Sequence, residues 1–143
     1  MKLVGVIILA GIVSLFAGLA VTIAGSALLP CYSDKAGCGM GDAYRIFFVP
    51  LYVIAGMIAF GFSAPGIARE QPVKRAMYTL LLAGVFLCLF SIVSDLTSGR
   101  SLTSGTVSEM IQIMSAFAAV IVTQWLMIGN YVRRRQYARK EAS

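Results

Sequence analysis

Four long runs of the sequence carry no charged side chain, and this feature limits the possible folds most. The runs are Leu3–Leu29, Ile46–Ala64, Ala76–Ser94 and Met110–Tyr131. A helix needs about 20 apolar residues to cross a bilayer, and a charge at its centre costs at least ~2.5 kcal/mol. The sequence therefore predicts an all-α integral membrane protein, with residues 1–143 forming one antiparallel bundle of four transmembrane helices.

The composition supports this fold class and narrows the possible partners. The chain is 59% hydrophobic and 13% charged, whereas a soluble domain is about half apolar and about a quarter charged. Its formal net charge of +6 could indicate nucleic acid, but the basic residues adjoin the ends of the apolar runs. We therefore expect the lipid bilayer, and not nucleic acid, to meet these charges.

The absence of histidine limits the chemistry that the chain could perform. Histidine is the commonest metal ligand and the commonest general base in proteins. We therefore predict no metal site, no cofactor and no catalytic residue, and we lean towards a function without catalysis.

The distribution of arginine and lysine predicts the orientation in the membrane. Nine of the 12 basic residues belong to the N-terminal segment, the connection between the second and third helices, and the tail 132–143: Lys2, Arg69, Lys74, Arg75, Arg133, Arg134, Arg135, Arg139 and Lys140. Basic residues concentrate on the cytoplasmic side of membrane proteins. We expect both termini in the cytoplasm of a bacterial plasma membrane, with the five basic residues of the tail near anionic lipid.

Two cysteines share the first predicted outer connection. Cys31 and Cys38 would face an oxidising compartment, which favours a disulfide. Closing so short a loop would stabilise the fold by roughly 2.5 kcal/mol. The alternative is a redox-active pair, as in four-helix membrane thiol oxidoreductases, but those enzymes commonly use Cys-x-x-Cys and a second pair. Cys88, in the third run, is expected to be a small packing residue.

Small residues recur at helical spacing in the first run. They are Gly11, Ser14, Gly18, Thr22, Gly25 and Ser26, and a similar set in the third run is Gly84, Cys88 and Ser91. Small side chains at such intervals allow two helices in lipid to approach closely. The pattern fits packing within the bundle and also fits a docking face for another subunit.

Polar side chains in or directly beside the runs are concentrated in the fourth helix, at Glu109, Gln112 and Gln124. Glu109 is predicted to lie near the outer membrane surface at the start of its helix, where the helix dipole favours an acidic residue. We interpret it as such a residue in preference to an ion carrier. Gln112 and Gln124 are expected to form hydrogen bonds with neighbouring helices.

Three functional hypotheses follow from these features. The leading one is a non-enzymatic accessory or assembly subunit of a larger membrane complex, which binds other subunits or itself through helix–helix contacts. The second is a small-solute or ion transporter or channel lined by Glu109, Gln112 and Gln124. The third is a membrane thiol–disulfide oxidoreductase that uses Cys31 and Cys38.

Overall fold

The computed structural model describes residues 3–29, 35–63, 71–99 and 104–141. In this part of the chain it contains four α-helices: α1 (Leu3–Leu28), α2 (Lys35–Ser63), α3 (Gln71–Thr97) and α4 (Ser104–Glu141). Each includes a segment that is long and apolar enough to cross a membrane. This confirms the prediction of an all-helical chain with four helices of membrane-spanning length, which is the pattern of a multi-pass membrane protein.

Helix α2 begins at Lys35, well before the predicted start at Ile46. Its first turns are held by an ion pair of 2.7 Å between Arg45 and Asp42, and Arg45 Nε also donates a hydrogen bond of 3.2 Å to the carbonyl of Gly41. Pro50 consequently lies inside the helix and not in its first turns. A proline is tolerated inside a membrane helix, where neighbouring helices and local adjustments satisfy the freed carbonyl.

Helix α4 is longer than predicted at both ends. It begins at Ser104 instead of Met110, and it continues as far as Glu141 through most of the predicted tail. Val132, the first residue of that tail, is buried. The guanidinium of Arg135 lies 5.1 Å from the centre of the Tyr131 ring, one turn away, which is a favourable cation–π distance. These contacts explain why the helix continues into the basic segment.

Helix α3 is also longer than the predicted 76–94, and it ends at Thr97. The amide of Ser98 donates a hydrogen bond of 3.0 Å to the carbonyl of Ser94. Gly99 follows with φ of 73°, a left-handed conformation that glycine adopts without steric cost. The chain thus leaves α3 through a glycine-terminated turn.

Helices α2 and α4 each contact all the other helices, whereas α1 and α3 do not contact each other within the described residues. Gly11 of α1 lies beside Met57 of α2, and Gly18 lies beside Val49 of α2 and Val120 of α4. Residue numbers therefore fall along α2 as they rise along α1. The helices α1, α2 and α4 form a closely packed unit, to which α3 is added on one side.

The core and the surface of this arrangement are both apolar. The buried hydrophobic cluster consists of Val6, Ala10, Val49, Val53, Phe60, Val73, Met77, Val120, Ile121, Ile128 and Val132. Large apolar side chains such as Phe16, Phe62 and Phe86 are nevertheless exposed on the outside. A soluble protein rarely exposes so much contiguous apolar area, whereas lipid accommodates such a surface.

Candidate functional site

The small residues of α1 contact the other helices of the same chain. Gly11, Ser14, Gly18 and Thr22 are buried. A Cβ atom on Gly18 would lie 2.7 Å from a methyl group of Val120 and from one of Val49, and a Cβ atom on Gly25 would lie 3.4 Å from Gln112. The hydroxyl of Ser26 donates a hydrogen bond of 2.9 Å to Asp42. Helices α2 and α4 therefore occupy this face.

Gln124 connects three helices at the centre of the fold. Its side chain is fully buried. Nε2 donates one hydrogen bond of 3.0 Å to Ser14 Oγ and another of 3.1 Å to the carbonyl oxygen of Val53. Oε1 is buried without a hydrogen-bond partner among the described residues, and it lies directly against Gly56. Only glycine leaves room for the Gln124 amide at that point.

A second polar group surrounds a cavity of about 160 Å³ between α1, α2 and α4. Its polar lining includes Thr22, Arg45, Glu109 and Gln112, and its aromatic lining consists of Tyr44, Phe48 and Tyr52. A cavity of about 150 Å³ in another protein holds benzene. The volume is therefore sufficient for a small organic group.

Gln112 has a buried amide oxygen without a partner close to this cavity. The residue lines the cavity and is only 6% exposed. Its Oε1 atom is buried and accepts no hydrogen bond from the described residues. An unsatisfied buried acceptor costs about 1–3 kcal/mol, and most buried polar groups have a partner in the protein or in ordered water.

The two charged residues of the lining have different surroundings. Arg45, whose side chain is 12% exposed, is paired at 2.7 Å with Asp42, which is not part of the cavity lining. Glu109 is exposed, and its Oε1 lies near Arg45 Nη2, since the two atoms would be 3.6 and 3.3 Å from a Cβ atom on Gly41. Asp42 balances the charge of Arg45. The group formed by Arg45, Asp42 and Glu109 therefore has one excess negative charge.

Buried apolar residues separate this cavity from Gln124. Ala116 lines the cavity, Val120 and Ile121 of α4 are buried between it and Gln124 along the helix, and Ile128 and Val132 are buried beyond Gln124. A continuous route for water would need polar groups along its length. Within the described residues, the two polar groups are therefore separate sites.

Most of the other predicted site residues lie at the basic end of α4 or outside the described residues. Arg133, Arg134 and Arg135 are exposed at that end, far along α4 from the cavity. Cys31 and the side chains of Cys38, Arg139 and Lys140 lie outside the described residues. The disulfide therefore remains a prediction. Cys88 is a partly buried free thiol, and the described residues contain no group of three or more potential metal ligands.

Sequence reasoning did not identify the bonds of α2 that build these sites. Asp42 and Arg45 have opposite charges at a spacing of three, which is a pairing distance on a helix. Their glycine-rich surroundings are typical of a loop, which obscures this signal in the sequence. No sequence pattern indicates the role of Gly56, because that role depends on which residue of α4 lies opposite it.

Similarity to known proteins does not assign a function to these sites. Comparisons with protein-family models, with curated proteins and with solved structures find no match to this chain. The functional argument therefore depends on the residues and contacts described above.

Proposed function

We propose that the chain is an integral membrane protein whose four helices form an antiparallel bundle, with both termini in the cytoplasm of a bacterial plasma membrane. The contacts of α1 support this arrangement, because Ser14 bonds to Gln124 whereas Gly25 lies beside Gln112. Residue numbers thus fall along α4 as they rise along α1. The nine basic residues of the termini and the second connection support the orientation.

Within that membrane, we propose that the protein is a non-enzymatic accessory or assembly subunit of a larger complex. The observation that carries this proposal is the incomplete burial of α3. Only 11% of its most apolar window is buried, compared with 22% to 33% in the other three helices. Its buried described side chains, Val73 and Met77, both lie near its start.

The second half of α3 presents small residues that the chain's own helices cover only in part. A Cβ atom on Gly84 would lie 2.7 Å from the Phe117 ring, so that position is occupied. Ser91, two turns further along the same face, is exposed. Small faces promote helix association in lipid because close backbones gain dispersion contacts. The proposed occupant is a transmembrane helix of another subunit.

Two phenylalanine substitutions would test this docking face. Ser91→Phe places a bulky ring on the face, whereas Val93→Phe places the same ring on nearly the opposite side of α3, because successive residues are about 100° apart. Each variant would be purified from its native membrane in mild detergent. Mass spectrometry would then measure the membrane proteins retained per chain. We expect Ser91→Phe to reduce retention of a stoichiometric partner about tenfold or more, equivalent to about 1.4 kcal/mol.

The matched control separates docking from misfolding. Val93→Phe should retain the partner, and both variants should melt at the wild-type temperature, because both positions are exposed. Equal retention in the two variants would contradict a docking face at Ser91. A wild-type chain that shows no stoichiometric partner in detergent or after cross-linking in membranes would contradict the accessory function as a whole.

The transport and thiol-exchange hypotheses have less support than the accessory function. The apolar residues between the cavity and Gln124, including Val120 and Ile121, argue against a continuous polar path. Thiol exchange would require Cys31 and Cys38, which contribute no described side-chain geometry. The cavity beside Glu109 and Gln112 is the feature of the described residues that favours transport, and thiol exchange stays a prediction.

A further inference from the structure

We propose that the cavity between α1, α2 and α4 binds an uncharged planar ring that carries a carbonyl oxygen, either as a small free molecule or as the ring of a lipid-tailed quinone. The cavity is lined by residues of three helices that do not include α3. The accessory function rests on the exposed face of α3, so this proposal does not depend on it.

Gln112 presents a hydrogen-bond donor to the cavity. The residue lines the cavity, and only 6% of its surface is exposed. Its Oε1 atom is enclosed by the protein, so the amide group is accessible through Nε2, which donates hydrogen bonds and does not accept them. No hydrogen bond from Nε2 to another described residue is found. An unpaired donor in so deeply buried a residue favours a ligand with an acceptor oxygen.

The charges beside the cavity favour an uncharged ligand. The guanidinium of Arg45 is paired at 2.7 Å with Asp42, and Glu109 Oε1 lies near the same guanidinium. A cation near Glu109 would therefore also meet the positive charge of Arg45. An anion near Arg45 would meet two carboxylates. Neither sign of charge on a ligand is favoured by this group.

Three aromatic residues of α2 form one wall of the cavity. They are Tyr44, Phe48 and Tyr52, and residues four apart lie on the same face of a helix. The rings of Phe48 and Tyr52 are inclined by only 19° with centres 6.4 Å apart, and Phe117 has an edge contact with Tyr52 at 5.3 Å. Aromatic rings attract a further ring beyond the effect of the area that is buried. This wall therefore favours a planar ring over a flexible acyl chain.

The cavity is open on one side, near the ends of the apolar segments. Tyr44, Phe48 and Ile113 line it and are 59%, 44% and 37% exposed. Thr22 lies near the end of α1, and Glu109 lies near the start of the apolar segment Gly105–Ala138. Its volume of about 160 Å³ is sufficient for one ring. In the proposed membrane, a ring can enter from the side while a tail attached to it stays in the lipid.

Four phenyl probes of nearly the same shape would define the class of ligand. Acetophenone carries a carbonyl oxygen, α-methylstyrene has a methylene group in its place, benzoate is an anion and benzamidinium is a cation. Equilibrium dialysis would compare phosphatidylcholine nanodiscs that contain the full chain with empty nanodiscs, so that partition into lipid is subtracted.

The expected order of binding follows from the donor and the charges. Referred to its concentration in the lipid, acetophenone should bind at least about fivefold more tightly than α-methylstyrene, which is equivalent to about 1 kcal/mol for one hydrogen bond. At the concentration at which acetophenone fills half of the sites, benzoate and benzamidinium should show no excess over empty nanodiscs.

A competition experiment would distinguish the two sources of the ring. Decylubiquinone would be added to the nanodiscs as a quinone with a lipid-like tail, and the displacement of bound acetophenone would be measured. Displacement by less decylubiquinone than acetophenone in the lipid supports a tailed quinone. Binding of acetophenone that decylubiquinone does not displace supports a small free molecule.

Two substitutions would locate the binding site. Gln112→Met removes the donor with little change in volume, and Ala116→Leu fills part of the cavity. Thr123→Val is the matched control, because it removes a hydroxyl of α4 that is outside the lining. We expect Gln112→Met to weaken acetophenone binding about fivefold and to change α-methylstyrene binding by less than about twofold. Ala116→Leu should weaken both neutral probes about tenfold or more, and the control should stay within about twofold.

Several outcomes would overturn the proposal. They are no binding of acetophenone by the wild type, tighter binding of either charged probe, or equal affinity for the two neutral probes. Unchanged binding in Ala116→Leu would place the probe outside the cavity. Melting temperatures would be measured for all variants. If Ala116→Leu does not fold, Ile113→Trp provides a second change to the lining at a partly exposed position, with the same tenfold criterion.

Discussion

The side-chain amide of Gln124 donates a hydrogen bond of 3.0 Å to the hydroxyl of Ser14, and this bond joins α4 to α1. The same nitrogen bonds to the carbonyl of Val53 in α2. Hydrogen bonds between membrane helices contribute about 0.6 kcal/mol on average. Their contribution here is chiefly to fix the relative positions of three helices around one buried group.

The first prediction concerns the introduction of a carboxyl group at position 124. Gln124→Glu replaces the donating nitrogen with an oxygen and brings a titratable carboxyl group into a fully buried position. We expect a loss of about 3 kcal/mol or more. Gln124→Met, which removes both hydrogen bonds and the unpaired Oε1, should cost about 1–2 kcal/mol. Reversible unfolding in mixed micelles would measure both changes, and equal losses would contradict the prediction.

The second prediction concerns the close approach at Gly18. Gly18→Ala would place a methyl group 2.7 Å from Val120 and Val49, whereas Gly5→Ala would meet no atom within 4 Å. We expect Gly18→Ala to lower stability by about 1–3 kcal/mol through overpacking, and Gly18→Leu to impair folding further. Gly5→Ala is the control and should leave stability unchanged or raise it by up to about 1 kcal/mol. Equal melting temperatures of the two alanine variants would contradict this prediction.

The third prediction concerns the coupling between Gly56 and Gln124. Because Gln124 Oε1 occupies the space of a Cβ atom on Gly56, Gly56→Ala should destabilise the wild-type chain by about 1–3 kcal/mol. In a Gln124→Ser background the same change should cost at least ~1 kcal/mol less. A double-mutant cycle from unfolding curves would measure this difference. Additive effects would show that the two residues do not share the space.

These contacts also show how much of the fold could be predicted from the sequence. Long uncharged runs are local features, so the four helices were predictable. The start of α2 was not, because its helical turns depend partly on Ser26 of α1 bonding to Asp42. Gln112 and Gln124 were identified as polar residues, but the cavity around the first and the contacts of the second depend on the register between helices. The sequence contains no local signal for that register.

The fourth prediction concerns the orientation of the chain. A fluorescent reporter that folds only in the cytoplasm should be fluorescent when fused after Ser143, because the basic residues before it are expected to stay inside. A cysteine introduced at Thr97, at the end of α3, should react with an impermeant maleimide added to intact cells. A cysteine introduced at Arg134 should react only after the membrane is opened. The reverse reactivity of the two cysteines would overturn the proposed topology.

The fifth prediction concerns Cys31 and Cys38. If the first connection faces an oxidising compartment, the two thiols should form an intramolecular disulfide that stabilises the fold by roughly 2.5 kcal/mol. Alkylation followed by mass spectrometry should label both cysteines only after reduction, while the free thiol Cys88 labels in either state once the protein is denatured. Free labelling of both without reductant would exclude the disulfide.

The contact between α1 and α4 affects the order in which the fold can form. Ser14 and Gln124 are 110 positions apart, and a ribosome adds about 5–20 residues per second, so Gln124 follows Ser14 by roughly 5 to 20 seconds. During that interval the hydroxyl of Ser14 has only its own helix to bond with, at the carbonyl of Gly11, and Gly18 lacks its α4 neighbour. If the chain is inserted as proposed, the first helix therefore has an incomplete set of neighbours until the last helix has been made. A chain interrupted before α4 would retain α1 with this face partly open, and insertion factors or proteases could recognise it as unfinished.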